Sequence, residues 1–199
     1  MKNFLLFLAA AFILFSCNQK EKGSDKIQPE KKTGKSEYTI TRDGLGEIKI
    51  GMKDAELEKL LNQRFSFRMV VDSPGYWSDT IRAKYKDIDV SLFFERMNGQ
   101  TDSTYMQLLG VETSSPLCKT EYGVGVGDDR AAVLEPYDDM SIYMGPDFEM
   151  VNDTTWERSK IKYTVSVKDD DWEHGAREII FHLVNKKVAS LGASIAMGE

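Results

Sequence analysis

The chain has 199 residues, 41% hydrophobic and 29% charged, with 26 lysines and arginines against 32 aspartates and glutamates, a formal net charge of −6. That acidic balance excludes nucleic acid as a partner, since its binders carry a basic stripe that neutralises phosphate. Two cysteines in the whole chain exclude a disulfide-braced scaffold.

The N-terminus carries Lys2, an apolar run from Phe4 to Phe15, and then Ser16-Cys17. At a helical rise of about 1.5 Å per residue this run covers roughly 18 Å, short of a hydrocarbon core of about 30 Å, so it has the form of a cleaved secretory signal over residues 1–16. Leu14-Phe15-Ser16-Cys17 resembles the lipobox of bacterial lipoproteins. The resemblance implies cleavage before Cys17 and a lipid on its sulfur, so that the bilayer is reached through the acylated cysteine only. Asn18 stands where enteric lipoproteins retained in the inner membrane carry aspartate, which favours the outer membrane and leaves the face open. With Cys17 lipidated, Cys118 has no disulfide partner, and a small buried hydrophobe is the simpler reading of it than an activated nucleophile.

Residues 18–37 contain six lysines, four acidic residues and one bulky aliphatic, Ile27. Such a segment cannot bury enough apolar surface to fold and is expected to be a tether, with a root-mean-square reach of about 25 Å. Residues 38–199 form one domain's worth of chain. They keep 19 basic and 28 acidic residues, a net charge of −9. This charge disfavours an anionic membrane surface and favours a partner with a basic one.

Tyr38-Thr39-Ile40-Thr41 has β character and ends at the turn signal Arg42-Asp43-Gly44. Glu47-Ile48-Lys49-Ile50 alternates with period two. After Gly51, residues 53–62 place Leu57, Leu60 and Leu61 on one helical stripe, with Asp54 and Glu56 at the positive end. Strands are expected over Phe65–Val71, Asp87–Phe94 and Tyr105–Val111. Tyr122-Gly-Val-Gly-Val-Gly-Asp-Asp then repeats the earlier pattern. Placing Gly127 on Gly51, 76 residues away, pairs Val124 and Val126 with Ile48 and Ile50, and Val133 with Leu57. Asp129 is a candidate N-cap for a helix that Pro136 ends. Ile161–Val167 alternates, and Glu178–Leu183 and Val188–Ile195 form a hairpin across Val184-Asn185-Lys186-Lys187. The expected architecture is α+β: two tandem strand–helix–β-meander units, about 38–115 and 116–199, forming a mainly antiparallel sheet with short helices packed on one face. Gly51 and Gly127 serve as the backbone turns.

The pattern Ile48-Lys49-Ile50-Gly51-Met52 with Leu57 and Leu60, repeated at Val124-Gly125-Val126-Gly127-Asp128, resembles the helix-plus-meander units of β-lactamase inhibitor protein. It is also similar to the single-unit assembly lipoproteins of the SmpA/OmlA type. In both families such units are binding modules, which implies a binding role here.

Chemistry-bearing patterns are few. The glycine run 123–127 lacks a long following helix and a lysine, and Asp128-Asp129 would repel phosphate. Asp169, Asp171 and His174 are the best metal candidates, although their run lacks the spacing and glycine of a calcium loop, and a solvated hairpin loop suits it better. His182 alternates away from Phe181 on its strand, and no hydrolase or metalloprotease motif accompanies either histidine. No pattern calls for a cofactor. Tyr76, Trp77, Tyr143, Phe148 and Trp156 fall in expected loops, where periodicity does not require burial, and aromatics of this kind dominate binding hot spots. The sequence therefore favours a lipid-anchored, non-catalytic envelope module, an assembly scaffold or an enzyme restraint, that binds another envelope protein. A small ligand or glycan held in a cleft between the units is the alternative, and a hydrolytic enzyme the third.

Overall fold

The computed structural model describes residues 36–68, 78–98, 104–168 and 176–195. Cys17, Tyr76, Trp77, Asp169, Asp171 and His174 lie outside them. The elements are β1 (Thr39–Thr41), β2 (Gly44–Leu45), β3 (Ile48–Lys49), α1 (Asp54–Leu61), β4 (Ser78–Tyr85), β5 (Ile88–Asn98), β6 (Thr104–Thr113), β7 (Lys119–Thr120), α2 (Arg130–Leu134), a 3-10 turn (Glu135–Tyr137), β8 (Ser141–Asn152), β9 (Thr155–Lys168), β10 (Arg177–Val184) and β11 (Lys187–Ile195). They form a seven-stranded sheet ordered β4-β5-β6-β11-β10-β9-β8 and a small sheet ordered β3-β2-β1-β7. Pairing is antiparallel throughout the large sheet, while β1 and β7 run parallel. The chain is thus α+β and mainly antiparallel, as its patterning indicates.

Period-two alternation sorts the large sheet into two unlike faces. One cross-strand row reads Ile81, Leu92, Val111, Ala193, Ile179, Val167 and Ile142, apolar at every strand. This face is covered by the small sheet, through buried Ile40, Leu45 and Ile48, and by the helices, through buried Leu57, Val133 and Tyr137. Phe65 and Phe67 add an aromatic cap, their ring centroids 5.6 and 5.2 Å from that of Phe94. Tyr137 stacks edge-on to Tyr122 at 4.9 Å, and its burial raises the pKa of its phenol. Among the described residues, the opposite face carries no helix.

The two glycine turns are built alike. Gly51 has φ +92° and Gly127 φ +93°, in the left-handed region that a side chain disfavours. The Gly51 N–H donates to Leu108 O and the Leu108 N–H donates back to Met52 O, each at 2.8 Å. Likewise Gly127 N–H donates to Val188 O at 2.8 Å and Val188 N–H to Asp128 O at 2.9 Å. Two residues on, Lys53 bridges Gln107 and Asp129 bridges Lys187, and a helix begins at the next residue in each case. Each turn therefore staples the start of a helix to a central strand.

Several local expectations are revised. The strand expected over Phe65–Val71 is absent across its described part: residues 65–68 are irregular, because the two phenylalanines turn down onto Phe94 instead of pairing with a neighbour. Val124–Val126 does not form a strand, only a bridge from Gly125 to Lys119. Asp129 takes the N-cap position without a side-chain cap, since its carboxylate turns to Lys187 Nζ, 3.3 Å away. Strands β4 and β8, not anticipated, supply the two edges of the large sheet.

Because both turn glycines have positive φ, Gly51→Val and Gly127→Val are each expected to destabilise the fold by about 1 to 3 kcal/mol. Urea midpoints measure this; unchanged midpoints in both would show that neither turn needs its glycine.

Candidate functional site

Strand β9 pairs with β10 only from Lys162 to Lys168, so the earlier part of β9, with its partner β8, runs past the sheet as a two-stranded ribbon. Within it Phe148 faces Arg158, Glu149 faces Glu157, and Met150 faces Trp156. Alternation puts Phe148, Met150, Trp156 and Arg158 on one side of the ribbon and the two glutamates on the other. Nine large hydrophobic residues are exposed among the described residues, and seven belong to this hairpin: Tyr143, Met144, Phe148, Met150, Val151, Trp156 and Ile161. Clusters of exposed apolar side chains, unlike scattered single exposures, are in general a feature of interaction surfaces.

A polar hinge joins ribbon to sheet. The register slips between Pro146 and Phe148, leaving residues 159–162 to bulge, and buried Ser159 accepts the N–H groups of Ile161 and Lys162 through its hydroxyl. Lys162 Nζ binds Glu149 at 2.7 Å, a hydrogen-bonded pair that lowers the pKa of the Glu149 carboxyl and raises that of the Lys162 ammonium. Pro146 has no N–H, and a second slip follows Met150, so β8 offers an interrupted ladder to an added strand.

The helix-free face of the sheet holds a second feature. Its rows read Arg82, Ser91, Glu112, Gly192, Ile180, Ser166, Tyr143, and Thr80, Phe93, Gly110, Ser194, Glu178, Lys168, Ser141. The central strands β6 and β11 contribute glycine and serine, and a groove of about 320 Å³ opens above them, bounded by Phe93 on β5 and Ile180 on β10. A Cβ at Gly192 would stand 2.2 Å from Val111 O, so the close approach of the two strands requires this glycine.

Side chains beside the groove form a connected polar chain. The Thr164 hydroxyl donates to Asp147 Oδ1 at 2.7 Å, and His182 Nδ1 lies 3.0 Å from the Thr164 oxygen. A hydroxyl has one proton, so Nδ1 is the donor in that second contact. His182 Nε2 then faces Glu112 Oε2 at 3.8 Å, and Ser190 donates to the other Glu112 oxygen. Glu178, buried, accepts from Ser166 and Ser194 and lies 3.7 Å from Lys168 Nζ. The Thr164–His182–Glu112 order imitates a nucleophile triad, yet the threonine proton is directed at Asp147 and away from the imidazole.

Of the aromatic candidates, the structure brings Tyr143, Phe148 and Trp156 together on one hairpin, but on strands and not in the loops expected for them. They remain 64%, 58% and 59% exposed. Cys118 is fully buried, and burial pushes its thiol up to about 11, against the activation a nucleophile requires. Among the described residues no cluster of three or more His, Cys, Asp or Glu side chains is placed to hold a metal, and no helix is long and apolar enough to cross a membrane. Comparison with protein-family models, with curated proteins and with solved structures finds no match to the chain.

The buried thiol gives a direct test. In the folded mature chain at pH 8, Cys118 is expected to react with an aromatic disulfide reagent at least about a hundredfold more slowly than in urea. Equal rates would place the thiol at the surface.

Proposed function

We propose that the chain is a lipid-anchored bacterial envelope protein, held at Cys17 by the lipidation that its lipobox-like sequence implies, and that it works as a non-catalytic protein-binding module. The observation that carries this reading is the projecting β8–β9 ribbon, on which most of the exposed large apolar side chains among the described residues are gathered. The tether of residues 17–37 leaves the domain free to reach a neighbouring envelope protein, at the outer membrane by the residue following the cysteine. The domain's net charge of −9 favours a basic partner surface. Tandem repetition is part of the same proposal. The matched hydrogen bonds of Gly51 and Gly127, and a sheet order that sets β4-β5-β6 against β11-β10-β9, support two units meeting between β6 and β11.

A second reading is favoured by one observation: the groove lies over that same β6–β11 junction, where a small ligand or glycan between two units would sit. Clefts at such junctions are common ligand sites.

Two experiments test the proposal. Cys17→Ala is expected to abolish lipid labelling and membrane retention, and full retention would refute the anchor. A photo-crosslinking residue placed at Trp156 or Phe148 in the native envelope is expected to capture one stoichiometric protein partner, while the same residue at Lys84, on the far edge strand, captures none. Equal capture from both positions would refute the ribbon as the docking surface.

A further inference from the structure

The groove over β6 and β11 has a chemical polarity that narrows what it can hold. Its walls are apolar, with Phe93 on one side and Ile180 on the other, and its floor is the backbone at Gly110 and Gly192. Of the described ionisable residues lining it, Glu112 and His182 belong to the helix-free face, while Asp79 alternates onto the covered face, where its carboxylate accepts the N–H groups of Arg68 and Thr80; no lysine or arginine is among these described lining residues. Arg82 shares the row of Glu112 but stands two strands away, with Ser91 between.

Asp147 accepts the Thr164 hydroxyl hydrogen, so the Nδ1 hydrogen of His182 points at the threonine oxygen, and in the tautomer that carries its hydrogen on Nδ1 the other nitrogen, Nε2, is an acceptor. Across from it stands Glu112 Oε2, 3.8 Å away and too far for a direct hydrogen bond, while Ser190 already serves the other carboxylate oxygen. Two acceptors thus face each other at the edge of an apolar groove with no donor between them. A group carrying several N–H donors and a positive charge satisfies both at once, and the partly enclosed setting strengthens its attraction to the carboxylate. An anion would meet the Glu112 carboxylate there, and a bare inorganic cation would leave the apolar walls unused.

We propose that this groove binds a small organic cation, a primary ammonium on a compact apolar body, with the ammonium between Glu112 Oε2 and His182 Nε2 and the apolar body between Phe93 and Ile180. The proposal rests on the second reading above, that a small ligand occupies the β6–β11 junction, and gives that ligand its chemical class. A groove of about 320 Å³ matches the lower end of small-ligand sites.

The test uses the mature chain from residue 17 with Cys17→Ala, followed by the backbone amide signals of Gly110 and Gly192 during titration. The probes are phenethylammonium, phenylacetate as its charge-reversed counterpart, and cellobiose as a neutral saccharide. Phenethylammonium is expected to shift both glycine signals saturably, and phenylacetate is expected not to. Glu112→Gln is expected to weaken phenethylammonium about tenfold or more, since it removes the charge and offers its own amide to His182. Gly110→Ala, whose Cβ would lie 3.2 Å from Phe93 Cδ2 and from Ser194 Cβ, is expected to block the floor while the remaining spectrum stays dispersed. Saturable shifts from phenylacetate or cellobiose but not from phenethylammonium would overturn the cation and leave a ligand at the junction. Silence of both glycines toward all three probes, or phenethylammonium shifts confined to other residues, would overturn the site itself. If Glu112→Gln fails to give a dispersed spectrum, Phe93→Ala replaces it, with the same loss expected.

Discussion

Everything in this molecule depends on four residue pairs. Strand β6 meets β11 at Gly110–Ser194, Val111–Ala193, Glu112–Gly192 and Thr113–Leu191, and this short antiparallel ladder turns two meanders into one seven-stranded sheet. Without it each meander would present an open edge and a half-covered apolar face. The pairing is tight enough that position 192 admits no side chain, and it aligns Val111 with Ala193 in the core row that the helices and small sheet cover. The same contact that completes the core also strips the opposite face of bulk. One constraint on backbone approach therefore sets both the inside of the protein and its most recessed surface.

The two edges of the sheet are managed differently. Strand β4 carries Asp79, Arg82 and Lys84, charges that discourage another strand from adding on. Strand β8 carries Tyr143, Met144, Phe148 and Met150, and is protected by Pro146 and two register slips instead. Charge guards an edge by making it costly to cover. Irregular register guards only the backbone and leaves the side chains available, which is why the apolar surface of this protein sits at one edge and not the other.

Parts of this were legible in the sequence, for definable reasons. Gly51 and Gly127 stood out because a left-handed turn has few acceptable residues, and the strands β5, β6, β10 and β11 because alternation with one buried face leaves a period-two signature. Strand β8 was hidden, since Gly145-Pro146-Asp147 interrupts it with turn-forming residues, and beyond them the exposed positions are the apolar Phe148 and Met150 while Asp147 and Glu149 are half-buried, the reverse of a core strand. Phe65 and Phe67 alternate like a strand but do so only to pack on Phe94. Tyr143, Phe148 and Trp156 drew attention singly as aromatics among polar neighbours; that they share a hairpin follows from pairing. The groove left no local mark at all, because it comes from glycines on strands separated by about half the domain, and His182 gains its facing carboxylate from a strand seventy residues earlier.

The β6–β11 ladder joins residues 78 to 84 positions apart. Closing so long a loop is entropically slow, and non-local pairing of this kind governs folding rate more than stability. A chain delivered N-terminus first exposes β6, with Leu108 and Val111 on one side, before β11 has emerged to cover it. The interval between the two is when the protein is open to pairing with other chains, and the staple at Leu108, which borrows its hydrogen bonds from Gly51 and Met52 within the same half, gives β6 a local hold while it waits.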